Sequence, residues 1–130
     1  MSDAVEEIIR LHDFISGWFR GEIEPGEFDA GFGDALHPSF ENIQPSGAVL
    51  TRSDLLEPIL AAHGRNSDFR IIIEEPRVLA TWPTLILATY VEFQTGARNS
   101  APENRRRSTV LFEQQDRLVW RHLHETALPE

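Results

Sequence analysis

The spacing of apolar positions changes part-way along the chain. Val5, Ile8, Ile9, Ile15 and Phe19 recur at helical spacing, and Leu11 and Trp18 widen the stripe, which predicts an amphipathic helix over residues 4–20. Asp3 with Glu6 three residues later makes a capping box at its start, and Gly21 stands where a left-handed residue ends a helix. Pro25 suits a first helical position, and Phe28, Phe32 and Leu36 follow at four-residue steps. They predict a short second helix that ends before His37-Pro38 and is weakened by Gly31 and Gly33. Phe40 to Gln44 reads as a brief strand, turned by Pro45-Ser46-Gly47 into a short extended piece at Val49 and Leu50. Thr51 and Asp54 make another cap, after which Leu55, Leu56, Ile59, Leu60 and His63 keep helical spacing until Gly64. Pro58 either kinks this third helix or occupies the first turn of a shorter one.

From Phe69 the pattern turns to β-branched and aromatic runs: Phe69 to Leu79, Thr84 to Gln94, Arg105 to Glu113 and Leu118 to Thr126. The breaks at Trp82-Pro83, Gly96 to Asn104 and Gln115-Asp116 are short enough for antiparallel neighbours. Helices first and a meander second predict an α+β fold, a curved antiparallel sheet covered by about three N-terminal helices. With no repeat and no long linker, residues 1–130 form one domain.

Composition narrows the partners more than the fold. A net charge of -9 opposes phosphate backbones and anionic lipid, so neither nucleic acid nor membrane is expected as a partner. The absence of cysteine excludes disulfides, thiolate catalysis and cysteine zinc sites. The acidic start Met1 to Glu7 is unlike a signal peptide, and no apolar run approaches the ~20 residues that span a bilayer, so a cytoplasmic location is expected. Phosphate-loop, dinucleotide-glycine, nucleophile-elbow and calcium-loop patterns are missing, and no cofactor is assigned.

Three features together carry a resemblance: His37-Pro38-Ser39-Phe40 followed by Pro45-Ser46-Gly47, the helix-helix-hairpin-helix-meander order, and the closing strand Trp120-Arg121-His122-Leu123-His124-Glu125-Thr126. In these the chain resembles the polyketide-cyclase-like (SnoaL-like) branch of the nuclear transport factor 2-like superfamily, including its members of unknown function. The closing strand is also similar to that of kinase association domains in the superfamily, but in a different register. The resemblance implies a cone with a deep pocket between helices and sheet, and a homodimer formed through the outer sheet face. It does not choose among isomerase, dehydratase, hydrolase, cyclase and non-catalytic members.

Strict strand alternation places Trp120, His122 and His124 on one face, opposite Arg121, Leu123 and Glu125. The paired imidazoles suit either general base chemistry or metal ligation. No spacing supplies a third ligand from among His12, His37, His63 or an acidic residue, and no metal site is assigned. Ile86, Ala88, Tyr90, Glu92 and Gln94 share a face that either lines a pocket or is the wetter side of the sheet, while Leu85, Leu87, Thr89, Val91 and Phe93 read as core. Trp18, Phe32 and Phe40 are candidate walls of an apolar cup, and equally plain core. In Arg105-Arg106-Arg107 alternation splits the cluster, leaving Arg107 as the candidate for a ligand carboxylate or simply a solvated cation.

Three functions remain open from the sequence. One is a small-molecule binding domain with Trp18, Phe32, Phe40, Glu92, Arg107, Trp120 and His124 around the ligand. Another is a cofactor-free isomerase, dehydratase, cyclase or hydrolase, in which His122 or Asp13 takes a proton and Tyr90 stabilises an oxyanion. The third is a dimerisation module with a filled interior.

Overall fold

The computed structural model describes residues 3–129. Helix α1 (Asp3–Arg20) opens the chain, and its buried face runs through Ala4, Ile8, Leu11, His12, Ser16 and Trp18. Asp3, the first described residue, is already helical, so it lies within α1 and is not the cap expected of it. The far end is as expected. Gly21 has φ +78, its N–H donates to the Trp18 carbonyl at 3.0 Å, and the Glu22 N–H donates to the Gly17 carbonyl at 2.9 Å. That pair of bonds is the Schellman closure, which needs a residue at ease with positive φ.

The expected second helix is broken into three pieces. A 3-10 turn (Pro25–Glu27), a single α turn α2 (Phe28–Gly31) and a second 3-10 turn (Gly33–Ala35) carry the chain into the sheet. Phe28 and Phe32 keep the spacing foreseen for them and are both buried, whereas Leu36 already belongs to strand β1 (Leu36–Ile43). Gly31 supplies a reason for the break. A Cβ at that position would collide with the Phe14 ring, so the segment is held against α1 by the lack of a side chain.

Strand β2 (Val49–Thr51) completes the expected hairpin with β1, and helix α3 (Arg52–Ala61) follows. Thr51 caps α3: its Oγ1 accepts the Asp54 N–H at 3.3 Å, and the Asp54 carboxylate accepts the Thr51 N–H at 3.0 Å. Pro58 lies inside the helix, so the loss of one backbone donor is tolerated here. Thr51→Ala should therefore lower stability by about 1 kcal/mol in a denaturant titration, the usual worth of such a cap.

Strands β3 (Arg70–Thr81), β4 (Leu85–Thr95), β5 (Asn104–Gln114) and β6 (Leu118–Ala127) lie within two residues of the predicted bounds. The sheet order is β2-β1-β6-β5-β4-β3. All neighbours are antiparallel except β1 and β6, which run parallel, so the α+β sheet is mixed at that one joint. The register between β1 and β6 breaks from Leu36 to Glu41, across His37-Pro38, where proline has no N–H to offer the ladder.

Extra residues curve the sheet around α1. β3 carries one between Glu74 and Arg77, where Glu75 adopts φ 51, and another between Val78 and Ala80. In β6, Trp120 and His122 face the consecutive residues Phe112 and Leu111, which leaves Arg121 as a bulge. Between α1 and the concave face lies one apolar core that includes Ile8, Leu11, Trp18, Phe32, Phe112 and Trp120. No described helix is long and apolar enough to cross a membrane.

Candidate functional site

The later half of helix α1 is tied to the β3 edge, where the Ser16 hydroxyl accepts the Ile71 N–H at 2.9 Å. A cavity of about 730 Å³, open at one end, lies among α1, α3 and the concave face of the sheet. Its walls are apolar: Ile15, Phe19, Phe32, Phe40, Leu55 and Ile59. Its mouth lies between the β1–β2 turn at Pro45-Ser46 and the β4–β5 loop at Ala97 to Ser100. That loop is anchored at Gly96, whose carbonyl accepts from Asn66 Nδ2 at 2.8 Å and whose φ is +70. A Cβ there would strike the Asp68 carbonyl, so glycine is required at this corner.

The floor of the cavity is ionic. His12 of α1, Glu92 of β4, Arg106 of β5 and Glu125 of β6 all line it, and Asn42 of β1 joins them. His12 Nε2 lies 3.1 Å from Glu92 Oε1, with both side chains more than nine-tenths buried. The other ring nitrogen, Nδ1, faces the Ile8 carbonyl at 2.7 Å. Both nitrogens thus face acceptors, and only the doubly protonated imidazolium can donate to both. The second carboxylate is held separately. Glu125 Oε1 accepts from Asn42 Nδ2 at 3.0 Å, and Glu125 Oε2 accepts from Arg106 Nη1 at 3.2 Å. Gln94 donates to Glu92 Oε2 at 2.6 Å.

Burial and pairing compete at each group. Burial penalises the His12 cation, but the Glu92 carboxylate overcomes it and the pKa is raised above the ordinary 6.5. Burial likewise works against the Glu92 anion, yet the His12 charge and hydrogen bond, with Arg106 behind them, bring its pKa down to about 2. Glu125 is the loser. Burial and the nearby Glu92 charge raise its pKa despite Arg106 and Asn42. Burial pushes the Tyr90 phenol well above 10.0, so it stays a neutral donor.

These shifts fix how stability depends on pH. A raised His12 pKa contributes fully below the ordinary 6.5 and is lost as pH rises through the folded value. The depressed Glu92 pKa contributes fully above the ordinary 4.5 and is lost as pH falls towards about 2. The pair is at full strength between those two ordinary values. The raised Glu125 pKa adds to the same trend, since charging that group costs stability as pH rises. Thermal melts across pH should therefore peak in the mildly acidic range and decline on both sides.

Several residues picked from the sequence meet here and others do not. Phe32, Phe40, Glu92 and Trp120 line the cavity. Tyr90 is fully buried behind it, its hydroxyl 3.4 Å from His12 Nε2. Trp18 lies in the core between Phe14, Phe28 and His63, its indole N–H donating to the Ile59 carbonyl at 2.7 Å. Asp13 is on the exposed side of α1.

The expected common face for Trp120, His122 and His124 is overturned by the Arg121 bulge. The extra residue shifts alternation by one, so Trp120, Leu123 and Glu125 point inward while His122 and His124 point to the outer face. His122 Nδ1 there lies 4.0 Å from Glu41. Arg107 is also external, paired across the sheet with Val91, and Arg106 is the arginine inside. The Leu85 to Phe93 face expected as core is the outer one, with the Arg105 guanidinium 3.9 Å over the Phe93 ring. Among the described residues no group of three or more His, Cys, Asp or Glu is placed to hold a metal.

The fold has solved counterparts. A nuclear transport factor 2-like protein of unknown function from Pseudomonas aeruginosa is 30% identical, with a TM-score of 0.88 over 98% of this chain and 100% of that one. The chain belongs to the nuclear transport factor 2-like superfamily. Similarity in fold extends to a nuclear transport factor 2-like protein of unknown function in nutrient uptake from Rhodospirillum rubrum, 16% identical, with a TM-score of 0.72 over 98% of this chain and all of that one. It extends also to the kinase hub homology domain of Chlamydomonas reinhardtii, 16% identical, with a TM-score of 0.70 over 99% of this chain and all of that one. No protein-family model and no curated protein matches the chain. As a nuclear transport factor 2-like protein it carries its helices on the concave face of the sheet, and the ionic floor described above closes the space between them.

Proposed function

We propose that this protein binds a small, mainly apolar molecule with one polar end. The observation that carries the reading is the cavity itself: about 730 Å³, open at one end, with aromatic and aliphatic walls and hydrogen-bonding groups gathered at the floor. Ligand sites commonly have this size and this division of labour, since apolar burial supplies affinity and a few polar groups fix orientation. The neutral Tyr90 phenol and the His12–Glu92 pair stand where the polar end would lie or directly behind it. They are also donors and acceptors of protons, and a candidate ketosteroid isomerase from Shewanella frigidimarina shares the fold at 15% identity and a TM-score of 0.68.

Titration with naphthyl methyl ketone, followed by tryptophan fluorescence, tests the reading because Trp120 lines the cavity. Saturable quenching and a raised melting temperature are expected, as a ligand that binds only the native state stabilises it. No saturable change with this ketone or with comparable naphthyl alcohols and esters would remove the reading. Recovery of the ketone unchanged, with no solvent deuterium at its methyl group, separates binding from acid–base turnover.

A homodimer through the outer sheet face is our second reading, favoured by the apolar residues on that face. Ile72 is 50% exposed there, beside Phe93, its cross-strand partner, and with Leu87 and Leu111 paired on the neighbouring strands. Sedimentation should give the mass of two chains, and Ile72→Glu should return it to one.

A further inference from the structure

We propose that Glu125 sets the charge of the ligand head group, so that the cavity takes a neutral carbonyl or hydroxyl end and rejects a free carboxylate near neutral pH. The inference rests on the cavity being a ligand site, and it follows from the balance of charge on the floor. Four ionisable groups line that floor: His12 from α1, Glu92 from β4, Arg106 from β5 and Glu125 from β6. The other charged residues that line the cavity, Arg65 and Arg98, belong to its mouth, where the Arg98 guanidinium donates to the Arg65 carbonyl at 2.8 Å, and the remaining elements contribute no charged group at the floor. β1 gives Asn42, β3 gives Ile71, and Leu55 and Ile59 come from α3. Tyr90, behind His12, is neutral. Two cations face two anions, and each is already matched: His12 with Glu92, Arg106 with Glu125.

An arginine in an apolar cup would ordinarily be read as a carboxylate receptor. Here its terminal nitrogens are occupied. Nη1 donates to Glu125 at 3.2 Å and Nη2 to Asn104 at 3.3 Å. A ligand carboxylate arriving on this floor would bring a third anion to two cations among largely buried side chains, and no counter-charge on the floor is free to meet it. A neutral head group brings no such imbalance. Polar capacity is still available for it: Arg106 lines the cavity, and its Nε is buried without a hydrogen-bond partner.

The charge on Glu125 is therefore the switch between two ligand classes. Its removal, by protonation or by substitution, leaves three charges with a positive surplus and releases Arg106 to pair with a carboxylate. Glu125 is the carboxyl that protonates first as pH falls, because burial and Glu92 raise its pKa while Glu92 is held down by His12. Carboxylate binding should accordingly tighten with acidification, accompanied by uptake of a proton.

Calorimetric titration of the full chain with two probes of the same shape, naphthyl methyl ketone and naphthoate, tests the inference. Near neutral pH the wild type should bind the ketone at least about tenfold more tightly than naphthoate, the discrimination that ~1.4 kcal/mol gives. Glu125→Gln, which keeps the shape and one acceptor oxygen, should reverse or abolish that preference by strengthening naphthoate binding while changing ketone binding little. Lowering the pH of the wild type by about two units should shift the ratio in the same direction, and this arm stands if the variant does not fold. Equal or tighter binding of naphthoate by the wild type at neutral pH, or a ratio indifferent to both Glu125→Gln and pH, overturns the assignment of Glu125. Binding of neither probe under any of these conditions overturns the ligand-site reading, and the inference with it.

Discussion

Replacement of His12 by leucine is expected to destabilise the protein by roughly 3–5 kcal/mol, the usual consequence of leaving one member of a buried ion pair without the other. The ring lies 3.1 Å from Glu92 and both side chains are almost wholly buried, so the orphaned carboxylate is left largely out of water with no cation of its own. Arg106 is already engaged by Glu125. The same substitution discards edge contacts with Tyr90 and Trp120, at centroid distances of 5.2 and 5.9 Å. Lost packing and lost pairing are separable. Combining His12→Leu with Glu92→Met should recover a large part of the loss, because two apolar groups of similar volume need no counter-charge. A double variant as unstable as the sum of the two singles would show that packing, not the ion pair, carries the cost. The His12→Leu protein should also lose the acid-side behaviour described above, since Glu92 without its cation is no longer held down to about 2.

Trp120→Ala should be comparably severe, at about 3–5 kcal/mol, the range for truncating a buried large aromatic. Trp120 is fully buried, packs edge-on against Phe112 at 4.8 Å between centroids, and its indole N–H donates to Glu7 Oε2 at 2.9 Å. That hydrogen bond joins the last strand to the first helix across 113 positions of chain. The truncation would also merge the lost ring volume with the cavity and weaken the join of α1 to β6, beside His12. A urea titration of the variant gives the stability change. An alanine variant within 1 kcal/mol of the wild type would mean that the ring contributes little beyond filling space.

Much of the fold was legible because its elements are amphipathic or punctuated. The period of α1, the Gly21 stop, the Thr51–Asp54 cap and the four long strands all follow from local patterns that the tertiary structure respects. The second helix was less legible. Its apolar spacing is helical, but close approach to Phe14 at Gly31 interrupts it, and a contact between distant parts of the chain leaves no local trace. The parallel β1–β6 joint is hidden for the same reason.

The site was only half legible. Glu92, Trp120, Phe32 and Phe40 were identified by residue type and face, and all four line the cavity. His122, His124 and Arg107 were assigned by alternation. One bulged residue at Arg121 sends the two histidines outward, and for arginine the split was right but the face reversed. A further signal was present and unused. His12 and Ser16 stand four and eight residues after Ile8, in the middle of the apolar stripe of α1, where a polar residue has to find a partner. Both do: His12 finds Glu92, and the Ser16 hydroxyl accepts the Ile71 N–H at 2.9 Å. Asp13, one position further round the helix, faces out. Polar residues inside an apolar stripe are thus better guides to this floor than paired histidines on a strand.

The central claim, that the space above the ionic floor receives a small molecule, is tested most directly by heteronuclear magnetic resonance of isotope-labelled protein titrated with naphthyl methyl ketone. The account predicts saturable shifts concentrated at amides around the cavity, among them His12, Phe40, Glu92, Arg106 and Glu125, with the outer sheet face unmoved. Shifts confined to the outer face around Ile72 and Phe93, or none at saturating ketone, would contradict it.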